Sequence, residues 1–291
     1  MVHWEIAGRK GFSPAFVMSY GVGGLAAFVV ARAWAESGGQ FPFHADVAAA
    51  VGESLCVIAY LLGWISCRRA AALYPEGSPL RVGWLALSGN CVLSVVRHLD
   101  LNPLFLPLAG SKGRVYLVSQ AVQAPALACV LFGILAIWWG VYRLGLGFRV
   151  RWFDCAGVVA AAALVAWAFR NHLSHAQESH TAVAILQLFS LGLLLSIGGV
   201  GLLLHGLAMQ MGGGRLAVVM RCIAAYALMR FLLTLLQGDR DKYSFIWWFA
   251  YFAARWVFVF GAAYFCWLAE TVKRSIRRQP YSDWNVSDWA Q

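Results

Sequence analysis

Two groups of residues in this sequence have the types and spacing to do chemistry. The first is the run Arg170-Asn171-His172-Leu173-Ser174-His175-Ala176-Gln177-Glu178, where His172, His175 and Glu178 recur every three residues. On a helix that spacing places them on one face. His98 and Asp100, at the end of an earlier apolar segment, are candidate ligands from a neighbouring helix. Imidazole with carboxylate suits a divalent metal, zinc first, and a hydrolytic site needs three protein ligands and an open water position. The same histidines also fit a proton sensor, because imidazole titrates at about 6.5, or a wetted loop that is polar for solvation alone.

The second group is a set of charges inside apolar segments: Glu53, Arg230 and Arg255, accompanied by Asn90, Gln120 and Gln123. A central arginine costs about 2.5–3.5 kcal/mol on insertion scales, so it faces the bundle interior or a wet cavity. Glu53 and Arg230 each lie about seven residues from the same end of their segments, roughly 10 Å deep at the helical rise, so a pair between them is geometrically allowed. Together these residues read as a polar intramembrane cavity for an anionic substrate or lipid headgroup. The alternative is a buried ion pair plus hydrogen bonds that fix helix register.

The elements that must carry these residues are transmembrane helices. Of 291 residues, 61% are hydrophobic and 12% charged, against about 45–50% and 25% in soluble domains. Half the usual charge cannot coat a water-facing surface, so the chain is read as an all-α polytopic bundle. Segments long enough for a bilayer core of about 30 Å fall at 13–35, 47–66, 82–99, 116–141, 152–170, 182–209, 216–237 and 244–269. That makes about eight spans, or seven if the first or third is lost. Residues 1–272 form one transmembrane domain and 273–291 a short basic and aromatic tail. The apolar run Phe12–Val30 is longer than a signal-peptide core and is read as a retained helix. Its packing stripe is expected at Ser19, Gly23, Ala27 and Ala31, and that of the sixth span at Gly192, Ser196 and Gly199. Pro125 is expected to kink the fourth span.

With eight spans and an interior N-terminus, inner segments carry thirteen Lys and Arg, and outer segments six, or seven with Arg32. That bias predicts both termini on the cytoplasmic side and places His44, His98, His172, His175 and His180 outside. The net charge of +10 sits at segment ends, which points to anionic lipid headgroups and away from nucleic acid. Seven cysteines lie in or beside apolar segments without a Cys-x-x-Cys pair, so neither a redox motif nor a zinc ribbon is expected. No Walker loop, nucleophile elbow or dinucleotide fingerprint occurs.

The last span is dense in aromatics: 13 of the 25 residues from Tyr243 to Trp267. This reads as a seam, with 244–269 offered to a membrane protein partner, or as a lipid face, ahead of a cofactor platform. Ser94 and His98 resemble the Ser-x-x-x-His pair of membrane ceramidase-like metal hydrolases, but the late His-x-x-x-His of that family has no counterpart here. Arg97-His98-Leu99-Asp100-Leu101 and Phe169-Arg170-Asn171-His172 resemble elements of uncharacterised multi-pass bacterial inner-membrane proteins over about residues 50–180. That resemblance implies a plasma (inner) membrane location and no assigned activity. The functional expectation is a non-enzymatic sensor or accessory subunit. The alternatives are a metal-dependent enzyme at the outer leaflet and a transporter of a small anion or lipid.

Overall fold

A computed structural model of the chain describes residues 12–38, 47–102, 112–143, 156, 159–160, 163, 181–235 and 244–278. No strand occurs among the described residues. Seven helices follow in order: α1 (Pro14–Glu36), α2 (Val47–Ala72), α3 (Pro79–Leu101), α4 (Lys112–Arg143), α5 (Thr181–Gln210), α6 (Arg215–Leu235) and α7 (Ser244–Arg278). Each holds a stretch long and apolar enough to cross a membrane, so this is a polytopic helical bundle. The third helix, diluted by Ser88, Asn90, Ser94 and Arg97, is among them. The candidate at 152–170 lies outside the described residues.

Local chemistry sets where helices start and stop. Ser13 caps α1 by accepting from the Phe16 amide at 3.1 Å, with Pro14 at the first helical position, where its missing N–H loses nothing. Gly212, at a φ of 65°, turns the chain between α5 and α6, a conformation in which a side chain would be strained.

Six helices close a ring. Neighbours are α2·α3, α3·α4, α4·α5, α5·α6, α6·α7 and α7·α2, and α1 lies outside it against α7 and α2. Contacts fix the directions. Glu53 meets His98 and Gly63 meets Cys91, so α3 runs against α2. Gly83 meets Gly133 and Gly201 meets Ala227, so α4 opposes α3 and α6 opposes α5. Trp247 reaches Leu233, so α7 opposes α6 and runs with α2. One end of the ring therefore gathers the starts of α2, α4, α5 and α7 with the ends of α3 and α6. The opposite end collects Arg68, Arg69, Arg81, Arg143 and Arg215. Helices α4 and α5 run the same way.

Small residues set the crossings, because between lipid-embedded helices close packing replaces the hydrophobic drive. On α1 the inward stripe is Val17, Gly21, Gly24, Phe28 and Ala31, whereas Ser19 and Gly23 are exposed. The expected stripe is thus displaced around the helix, with Ala31 shared. The reason lies on the partner: Trp256 and Phe252 of α7 need notches where a Cβ would overlap their rings, and Gly21 and Gly24 supply them. On α5, Gly192 and Ser196 face outward, and Gly198 and Gly201 meet α6.

At the crossing of α3 on α4 backbone meets backbone. A Cβ on Gly83 would lie 2.8 Å from the Gly133 carbonyl oxygen and 3.1 Å from the Ile137 nitrogen. Both are backbone atoms and cannot rotate away. Gly83→Ala is therefore expected to destabilise by about 1–3 kcal/mol through overpacking. Gly23→Ala, with nothing within 4 Å of its Cβ, is expected to gain up to about 1 kcal/mol of helix propensity. Unfolding midpoints in detergent with graded denaturant compare the two. Equal shifts would refute the close crossing.

Candidate functional site

Polar residues on four helices share a repeat of four or seven that stacks side chains on one face. Helix α3 carries Asn90, Ser94 and His98; α2 carries Glu53 and Tyr60; α6 carries Tyr226 and Arg230; and α7 carries Tyr251 and Arg255. The closed ring turns these faces toward one another, near the end where α2 starts and α3 stops. By the helical rise, His98 lies about 5 Å from its helix end, Glu53 about 9 Å and Arg255 about 16 Å.

Hydrogen bonds and ring contacts together join them. His98 Nδ1 is in short contact with Glu53 Oε2. The His98 ring stacks on Tyr60, centroids 5.4 Å apart, and meets Tyr251 edge-on at 5.8 Å. Arg255 Nε donates to the Tyr60 hydroxyl at 3.3 Å, and that hydroxyl lies 3.4 Å from the hydroxyl of Tyr226. Arg230 Nη1 donates to Tyr226 Oη at 2.6 Å and to Asn90 Oδ1 at 3.3 Å. Ser94 Oγ also donates to Asn90 Oδ1, at 3.3 Å. Arg255 Nη1 donates to the Tyr251 carbonyl at 2.8 Å, with its guanidinium carbon 3.1 Å from the Tyr251 ring centroid. Arg97 donates to the Tyr251 hydroxyl at 3.3 Å. Nearer the rim, Asn102 Nδ2 donates to Ser54 Oγ at 3.0 Å.

Both interior arginines of this network are buried. Arg230 is 5% exposed and Arg255 1%. Arg255 has a tyrosine hydroxyl, a carbonyl and an aromatic face as partners. The Glu53 carboxylate, 3% exposed, is engaged by His98. Asn90 adds an unmet donor. Its Oδ1 accepts from Arg230, and because a guanidinium can only donate, this fixes the amide orientation. The Nδ2 group, on a residue 0% exposed, has no acceptor. A buried donor left unpaired costs about 1–3 kcal/mol. Two guanidinium forks and an amide N–H, in an environment without bulk water, are equipped to hold a carboxylate, sulfate or phosphate group.

Of the cavity residues expected from sequence, Glu53, Asn90, Arg230 and Arg255 come together. Gln120 is on α4, where its side chain lies outside the described residues. Gln123 is half-buried on the same helix. Glu53 pairs with His98 and not with Arg230, because the end of α3 lies directly beside the start of α2. That takes His98, expected as a metal ligand at the rim, into the interior. Asp100 is half-buried at the rim, with its Oδ2 lacking a hydrogen bond. His172, His175 and Glu178 lie outside the described residues. Among the described residues no group of three His, Cys, Asp or Glu side chains is placed to hold a metal. Tyr60, Tyr226 and Tyr251 escaped the sequence reading. The signal was present: a tyrosine precedes each buried arginine by four residues, Tyr226 before Arg230 and Tyr251 before Arg255.

The aromatic helix packs mainly within the chain. Its Trp248, Tyr251, Phe252, Phe258 and Phe265 are buried against α1, α2, α3 and α6, and its exposed large apolar side chains include Ile246, Phe249 and Trp267. Comparison with protein-family models, curated proteins and solved structures gives no match.

Proposed function

We propose that this protein is a non-enzymatic membrane component, of the sensor or accessory-subunit class, that binds an oxyanion-bearing ligand inside its helix ring. The observation that carries the reading is the burial of two guanidiniums, Arg230 and Arg255, in a network whose Asn90 amide keeps an unmet donor. An anion there meets two cations in low dielectric, where each contact is stronger than in water. Beyond Arg255 toward the basic end, the ring is filled by Trp84, Leu87, Ile134, Ile223 and Phe258, all buried, which supports binding over passage through the bundle. On the positive-inside reading the polar end is the outer one, with both termini cytoplasmic in a plasma membrane.

The test is titration of the purified protein in nanodiscs with sodium sulfate, benzoate and short-chain phosphatidic acid in separate arms. Saturable binding of sulfate or benzoate identifies a free anion as sufficient. Binding confined to phosphatidic acid identifies a lipid headgroup. No saturable heat or shift in any arm up to millimolar concentration overturns the reading.

A further inference from the structure

We propose that the basic end of the ring is a binding surface for anionic phospholipid headgroups, built from two tryptophan–arginine ridges and the cationic last turns of α7. This surface lies at the opposite end from the polar network and is independent of it. On α2, Trp64 and Arg68 are four residues apart and both exposed, so they share an outward face. On α4, Trp139 and Arg143 repeat the spacing, again both exposed, with the Arg143 guanidinium carbon 5.2 Å from the Trp139 ring centroid. Tyr142 stacks on Trp139 with centroids 6.0 Å apart. On α7, exposed Trp267 stacks on Tyr264 at 5.6 Å and stands five residues before the end of the apolar span at Val272.

Each of these features has a place in a bilayer. Tryptophan and tyrosine settle at headgroup level, where the ring is half in hydrocarbon and its N–H or O–H meets water. An arginine one turn farther out then lies among the phosphates, and a guanidinium matches a phosphate through two parallel N–H donors. Helix α7 continues from Val272 to Arg278, about 9 Å of further rise. Those six residues include Lys273, Arg274, Arg277 and Arg278. A cluster of four or more cations directly beyond a span is what anionic headgroups attract. Among the described residues, the carboxylates at this end are Glu76, which engages Arg81 at 3.1 Å, and Glu270. The polar end differs. There α1 stops with Arg32 paired to Glu36 at 2.8 Å, and Asp100 lies in the rim. Charge therefore selects an anionic over a zwitterionic headgroup at the basic end.

The test is native mass spectrometry of the full-length protein, titrated in detergent with phosphatidylglycerol or phosphatidylcholine in separate arms. Each cation at a membrane surface contributes roughly fivefold, so phosphatidylglycerol is expected to bind about tenfold or more tightly than phosphatidylcholine. Arg68→Gln/Arg143→Gln should lose most of that preference while phosphatidylcholine binding stays unchanged. Both side chains are exposed, so the packed interior is left intact. Arg274→Gln/Arg277→Gln/Arg278→Gln should weaken the preference independently from α7. Arg255→Met, in the interior, and Arg32→Gln/Glu36→Gln, at the polar end, should leave it as it was. Equal affinity of the wild-type protein for the two lipids overturns the proposal. So does a preference that survives both of the arginine-to-glutamine sets at the basic end. A preference abolished by Arg255→Met would move the lipid to the interior network and overturn the proposal in favour of that site.

Discussion

Replacing Arg255 with methionine is expected to weaken oxyanion binding about hundredfold or more while leaving the fold as stable as before, or more so. These opposite outcomes separate a binding charge from a structural one. Arg255 is buried, and its partners are the Tyr60 hydroxyl, the Tyr251 carbonyl and the Tyr251 ring. Exchanging buried ionic groups for an apolar side chain of similar volume is often neutral or stabilising by about 1–4 kcal/mol. Loss of a buried charge from a recognition pair costs about 2–5 kcal/mol, and about 3 kcal/mol is already more than hundredfold in affinity. Arg255→Lys keeps the charge but loses the planar fork that matches an oxyanion, so it should fall between the two. Sulfate titration paired with a denaturation midpoint reads both quantities. A methionine variant that binds normally, or one that unfolds, would show that Arg255 serves architecture alone.

The second large effect is expected at Glu53 and His98, and it is asymmetric. His98→Leu strands a carboxylate in the bundle interior, and breaking a buried pair in that way costs about 3–5 kcal/mol. Glu53→Leu strands a neutral imidazole nitrogen instead, with a cost of about 1–3 kcal/mol. The double variant Glu53→Leu/His98→Leu removes both polar groups and is expected to be less destabilised than the sum of the singles, by about 2 kcal/mol or more. Unfolding midpoints of the four proteins close the cycle. Strict additivity would show that the short contact between the two side chains contributes nothing to stability.

How far the site was legible can be traced residue by residue. Glu53, Asn90, Arg230 and Arg255 announce themselves because polar groups in apolar segments are costly unless they face inward. Composition and segment length likewise required a helical membrane bundle, and six of the eight candidate segments plus the diluted third one appear as helices α1–α7. Partner choice was not legible. Depth pointed Glu53 to Arg230 and left His98 at the rim, whereas the structure pairs Glu53 with His98; a depth argument contains no information on which helix is adjacent. The tyrosines stayed hidden for a related reason. In a chain with ten of them, a tyrosine becomes a site residue only when an arginine four residues away turns inward beside it.

The small-residue stripes show the same division. Glycines and alanines in α1 recur at steps of three and four along more than one face, so spacing alone allowed a stripe through Ser19 and Gly23. Which face is used was decided by Trp256 and Phe252 of α7, more than two hundred residues away, whose rings fit only where Gly21 and Gly24 leave room. By itself, then, the amino-acid sequence determined that this protein is a bundle of membrane-spanning helices with charged residues in its interior, because burial costs for charge and backbone act on each segment separately. The closure of six helices into a ring, the pairing of Glu53 with His98 and the linking of Arg230 to Arg255 through the Tyr226 and Tyr60 hydroxyls were decided only in three dimensions. Those outcomes depend on which rings and notches fit together between helices distant in the chain.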